Sequence, residues 1–193
     1  MKRREFIRNV GIGTIPVIGG TLASCETSTD SLNNSNWTED YNFMKGAAEF
    51  EAVAINTYQT AIDSGLLDAA PAELGAIETA QNFRDHHQQH LDSFNAAFSD
   101  KGWAEISTEG IAADSRALAA TNWTEILQAA LTLEFEAAEF YFNAINDTIT
   151  GTTVRRLFTD VFPIEVSHVV AFKIKFGLES INSGLFNGLV TGL

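Results

Sequence analysis

Apolar positions recur along this chain at steps of three and four residues in four long stretches, the period of a helix buried on one side. The first opens at Thr38-Glu39-Asp40, a capping residue followed by acids. It carries Phe43, Ala47, Phe50, Ala54, Tyr58 and Ile62 before Gly65 ends it. The second starts near Pro71 and carries Ala76, Ala80, Phe83, His87, His90, Leu91, Phe94 and Phe98 up to Gly102. The third begins at Asn122 and runs to Asn146, with Leu127, Ala130, Leu131, Ala138, Tyr141 and Ile145 inward. After Gly151 the fourth runs from Thr153 to Gly177, with Phe158, Val161, Val169 and Phe172 inward and Pro163 expected to bend it. Trp103 to Thr121 has no sustained period and reads as a long connection with a short turn around Ala117. No strand pattern competes. The fold class this predicts is all-α: an up-down four-helix bundle over residues 38–183, with one long crossover between helices two and three.

Several charged and imidazole groups fall on the inward stripes. Glu51 lies four residues after Ala47 and seven before Tyr58, whereas Glu49 is about 200° around the helix and faces water. Glu134 lies four after Ala130 and seven before Tyr141, and Glu136 does not share that face. His87 lies four after Phe83, with His90 one turn on, while His86 aligns with the polar side. Glu165 lies four after Val161, and His168 follows it by three on the same face. Tyr58 and Tyr141 read either as hydrogen-bond donors behind these groups or as core aromatics, with core packing favoured.

Three carboxylates and three imidazoles thus enter the interior near the middle of the helices. Unpaired buried charge is costly, and no Lys or Arg occupies a matching inward position. Two arrangements satisfy them. A transition metal, iron or manganese first and zinc second, suits this donor set of Glu51, His87, His90, Glu134, Glu165 and His168. Alternatively, the six form a metal-free hydrogen-bond network. The layout repeats: Glu51 and Glu134 each have Ala three residues on and Tyr seven on. His87-x-x-His90 and Glu165-x-x-His168 are each followed by Phe four residues later. Two helix pairs on one plan imply an approximate twofold axis.

Composition adds an address. The chain has 193 residues, 12 Lys+Arg against 25 Asp+Glu and one cysteine. That is one domain without an internal disulfide, too acidic to favour nucleic acid as a partner. Yet Lys2, Arg3, Arg4 and Arg8 sit together at the start, followed by an uncharged run from Asn9 to Ser24. The run is shorter than the roughly 20 residues that span a bilayer, and it contains Pro16 and four glycines. Arg3-Arg4-Glu5-Phe6-Ile7-Arg8 resembles a twin-arginine export motif, and Leu22-Ala23-Ser24-Cys25 resembles a lipobox. Residues 1–24 are therefore expected to be a signal peptide and Cys25 a lipidation site. Such an anchor makes a membrane the partner and places the protein in the cell envelope, on the periplasmic or outer face. Residues 25–37, rich in Ser, Thr, Asn and Asp, read as a tether, and 184–193 as a tail.

The run Leu133-Glu134-Phe135-Glu136-Ala137-Ala138-Glu139-Phe140-Tyr141, with the spacing above, resembles the ferritin-like superfamily, including exported bacterial ferritin-like proteins. The resemblance covers about Thr38 to Gly177. It implies a Glu from each of two helices and a Glu-x-x-His from each of the others around a metal pair. Glu51, Glu134, Glu165 and His168 match, whereas His87 stands where a glutamate is expected. A single ion or an asymmetric pair then becomes feasible. The function implied is an exported, lipid-anchored metal protein, with a small oxidant as substrate. The alternative is a non-catalytic helical envelope lipoprotein.

Overall fold

Helix-forming stretches punctuated by glycine give this chain its elements. A computed structural model describes residues 37–149 and 151–178. Among them the chain is all helical, with no strand. The α-helices are α1 (Trp37–Asp63), α2 (Ala76–Asp100), α3 (Ser115–Ala119), α4 (Trp123–Asn143) and α5 (Thr152–Phe176). The expected signal peptide, Cys25, the tether up to residue 36 and the tail lie outside the described residues. Trp37, placed with the tether by its composition, is the first residue of α1.

Two boundaries differ from the sequence expectation. Pro71 does not start the second long helix. It precedes a single 3-10 turn (Ala72–Leu74), and Gly75, at φ 51°, turns left-handed before α2 begins at Ala76. Glycine takes that conformation without the penalty a Cβ would bring. The third long helix gives way at Ala144–Thr148 to a π turn. Pro163, expected to bend its helix, lies within α5, which continues unbroken to Phe176. The short turn expected near Ala117 is α3, capped by Asp114, whose side chain accepts from Arg116 N–H at 2.7 Å.

α1 packs along α2, and α4 along α5. The interior divides into two apolar clusters. One gathers Tyr58, Phe83, Leu131, Phe135, Val169 and Phe172. The other gathers Met44, Leu91, Phe94, Phe98, Tyr141 and Phe158. Along α2 and α5 the boundary between the clusters falls where the stripes carry histidine and glutamate, so a polar layer is enclosed between two apolar ones.

The aperiodic crossover is held by side chains. Asn56 donates to Thr108 O (2.9 Å) and Ile111 O (2.7 Å), Thr57 accepts from Asp114 N–H (2.8 Å), and Asn95 bonds Ile106 at both N–H and C=O. At the far end, Asp40 accepts from Gly151 N–H at 2.7 Å, tying the start of α1 to the start of α5. A Cβ at residue 151 would collide with that carboxylate. No helix among the described residues is long and apolar enough to cross a membrane.

Candidate metal centre

Each long helix delivers its inward polar residues to one place: Glu51 from α1, His87 and His90 from α2, Glu134 from α4, Glu165 and His168 from α5. All six are buried. Glu49 and Glu136 point away, as their helical phase requires, and pair with Lys45 and Arg116.

His87 sits in the middle of the set. Its Nδ1 lies 2.7 Å from Glu51 Oε2 and its Nε2 3.1 Å from Glu134 Oε1. His168 Nδ1 lies 2.9 Å from Glu134 Oε2. His90 Nδ1 lies 3.0 Å from Glu165 Oε1 and 3.4 Å from Glu51 Oε2. The donors form two overlapping groups, with the ligating atoms of each within 4.8 Å of one another. One is Glu51, His87, His90 and Glu165; the other is His87, Glu134, Glu165 and His168.

Hydrogen bonding accounts for Glu51 and Glu134 but stops short of Glu165. Both Glu165 oxygens and His90 Nδ1 are buried without a hydrogen-bond partner. His90 Nδ1 and Glu165 Oε1 are close enough to bond but misaligned for it. Atoms that approach without aiming at each other resemble the edges of a coordination shell. With metal–ligand bonds of about 2.0–2.2 Å, such edges measure about 3–3.5 Å. No Lys or Arg is buried among the described residues, so no side-chain cation of that kind serves Glu165. The donor set, carboxylate with imidazole, fits a transition-metal ion.

Without an ion the carboxylates and imidazoles shift one another's ionisation, as a metal site and a metal-free network would both have it. Burial alone would raise the Glu51 carboxyl, but the His87 and His90 imidazoles hold it at about 2. Burial acts upward on Glu134 as well, and His168 and His87 hold it well below the usual range. On the imidazoles burial acts downward and is overcome. Glu134, Glu165 and Glu51 push His87 well above its ordinary value, Glu165 and Glu51 raise His90 to about 9, and Glu134 raises His168. This cluster seeks positive charge, and protons supply it when nothing else does.

Three residues do more here than their sequence positions suggested. Tyr58 and Tyr141, for which the sequence favours core packing over donation to the metal ligands, donate hydrogen bonds to Glu134 and Glu51 respectively. Burial and then the adjacent carboxylate raise both phenols well above the usual range. The pairing is crossed: each tyrosine follows one glutamate in sequence and serves the other. The exchange is reciprocal, in keeping with the repeat. His86, assigned to the polar side, is half-buried, and its Nδ1 lies 2.9 Å from His168 Nε2. Its signal was local, because it follows the inward Phe83 by three residues and so flanks the buried stripe.

No protein-family model matches the chain, and neither does any curated protein. Among solved structures it is similar to the crystal structure of a conserved hypothetical protein from Mycobacterium tuberculosis, at 15% identity and a TM-score of 0.60. The match covers 77% of this chain and 98% of that one, so what the two share is a fold.

Proposed function

We propose that this chain is a ferritin-like four-helix bundle that holds one or two transition-metal ions on Glu51, His87, His90, Glu134, Glu165 and His168. The observation that carries the proposal is Glu165: a carboxylate in a buried layer, both oxygens without a hydrogen bond, faced by donor atoms at coordination-shell spacing. The bundle assignment is supported by the four long helices, their pairwise packing and the glutamate and histidine spacing. Three carboxylates with three imidazoles suit iron or manganese, and zinc as a redox-inactive occupant. Bound there, iron or manganese would supply one-electron redox chemistry toward a small oxidant such as peroxide. The chain contributes the rest. Two apolar clusters exclude water, Tyr58 and Tyr141 hold the two single glutamates in place, and His87 stands between them.

A second reading has its own observation. Glu51 and Glu134 are satisfied by Tyr, His87 and His168 without any ion, as a purely structural network would have them. Metal analysis separates the two. The mature domain, purified without a histidine tag, is expected to carry iron, manganese or zinc by mass spectrometry and to melt higher when the ion is restored after chelation. Absence of all three, with no thermal response to any, would leave the network and remove the metal.

The export reading rests on Arg3-Arg4 and on Leu22-Ala23-Ser24-Cys25. We propose a twin-arginine signal, lipidation at Cys25 and anchorage in the cell envelope. Replacing Cys25→Ala is expected to move the protein from the membrane to the soluble fraction. Unchanged fractionation would rule the lipid anchor out.

A further inference from the structure

His168 is the only histidine of the proposed ligand set with a second imidazole behind it among the described residues. Its Nδ1 faces the carboxylates, 2.9 Å from Glu134 Oε2 and 3.8 Å from Glu165 Oε2. Its Nε2 faces away, 2.9 Å from His86 Nδ1. The ring centres are 5.2 Å apart and the planes only 5° apart. With the facing nitrogens much closer than the centres, the rings lie edge to edge in nearly one plane, so the proton between them is in line. Phe83 lies over the His168 ring at 3.9 Å and 22°, and it is inclined to His86 by the same 22°. Phe83 therefore holds the plane of the His168 ring, and His86, 6.3 Å from Phe83, lies in that same plane.

A neutral imidazole that ligates through Nδ1 must carry its proton on Nε2, and that N–H needs an acceptor if the ring is to keep its tautomer and its direction. His86 Nδ1 is that acceptor. We propose that His86 is a positioning residue of the centre: by accepting a hydrogen bond from His168 Nε2–H, it holds His168 with its Nδ1 lone pair directed at the ion. This rests on metal binding at the centre and adds to it. His86 itself touches no ion. It acts through His168, and it acts on one half only. Under the sequence repeat, His86 in α2 corresponds to Ile164 in α5, so nothing equivalent backs His90. Asymmetry of the pair follows: the Glu134–His168 half is the more rigid and the tighter.

The test uses the mature chain with zinc as the probe and two amides of different reach. In His86→Asn the side-chain oxygen sits where Nδ1 was and can accept the same bond. In His86→Gln the amide reaches the position of Nε2, away from His168. Zinc affinity, measured by chelator competition, is expected to be close to wild type in His86→Asn and about 10–100-fold weaker in His86→Gln. Long-range proton–nitrogen NMR on the zinc-loaded wild type needs no variant. It should show His168 protonated on Nε2 and His86 unprotonated on Nδ1. Equal affinities for the two amides, or a His168 protonated on Nδ1 in the loaded chain, overturn the positioning role while leaving the metal site standing. A wild-type chain that takes up none of zinc, iron and manganese overturns this inference together with the metal reading beneath it.

Discussion

Around Glu134, the His168 ring is 1% exposed, capped by Phe83 and hydrogen-bonded through both nitrogens. Around Glu51, its counterpart His90 is 9% exposed, and its Nδ1 makes no hydrogen bond. The two halves use the same residue types at the same spacing, share Glu165 and His87, and differ in what stands behind the ligand. The difference teaches that a repeat can duplicate a donor set without duplicating its support. The rigidity of a ligand is then decided one residue outside the repeated motif.

The comparison can be broken most severely at a carboxylate both halves share. Glu165→Gln removes a carboxylate from both donor groups. It is expected to weaken metal affinity in both by more than the ~10–100-fold typical of an outer partner. Equilibrium dialysis against iron or zinc reads this, and retention of full stoichiometry would detach Glu165 from the centre. Next, His168→Gln and His90→Gln separate the halves. The first should weaken binding more than the second, because it removes the better-held ligand. Equal losses in the same dialysis would erase the inequality.

Acidity sharpens the contrast between an occupied and an ion-free centre. In the ion-free chain His90 and His168 lie above the ordinary 6.5, His87 well above it, while Glu51 and Glu134 lie below 4.5. Raised imidazoles contribute fully below their unfolded value and lose that contribution as pH climbs through the folded one, about 9 for His90. Depressed carboxylates contribute above their unfolded value and lose it as pH falls toward about 2 for Glu51. The chelated protein should therefore melt highest between about pH 4.5 and 6.5 and lose stability from there to pH 9. The loaded protein needs neutral imidazoles and should gain over the same interval. Parallel melting curves would mean that no ion enters the layer. The smallest effect expected comes from the crossed phenols. Tyr58→Phe and Tyr141→Phe should each cost about 1.5–3 kcal/mol by urea midpoint, the usual worth of a hydrogen bond to a charged acceptor. The two costs should match, and a clear mismatch would show the inequality reaching beyond the histidines.

Much of this was legible in the sequence because helical phase is arithmetic. A residue four after Ala47 or four after Val161 has one direction to face, and Glu51 and Glu165 face it. The four long helices followed from the same period. Phase says nothing about what a side chain meets across the interior. For that reason Tyr58 and Tyr141 read as packing, although their hydroxyls reach carboxylates on another helix. His86 was missed because it lies on the flank of its stripe, where a shift of one residue decides between solvent and a buried partner. The crossover read as formless because its order comes from Asn56, Thr57 and Asn95, residues distant in sequence whose side chains bond its backbone. The late start of α2 turned on Gly75, where a left-handed residue outweighed the favourable placement of Pro71.

The exchange of phenols between the two glutamates bears on how the chain assembles. The hairpin α1–α2 holds a carboxylate whose hydroxyl donor belongs to α4, and the hairpin α4–α5 holds one whose donor belongs to α1. Each hairpin supplies its own acid with an imidazole, His87 for Glu51 and His168 for Glu134, but takes the phenol from the other hairpin. Docking of the two hairpins therefore completes the hydrogen bonding of both acids at once, and the contacts that close the molecule are the same ones that ready its interior.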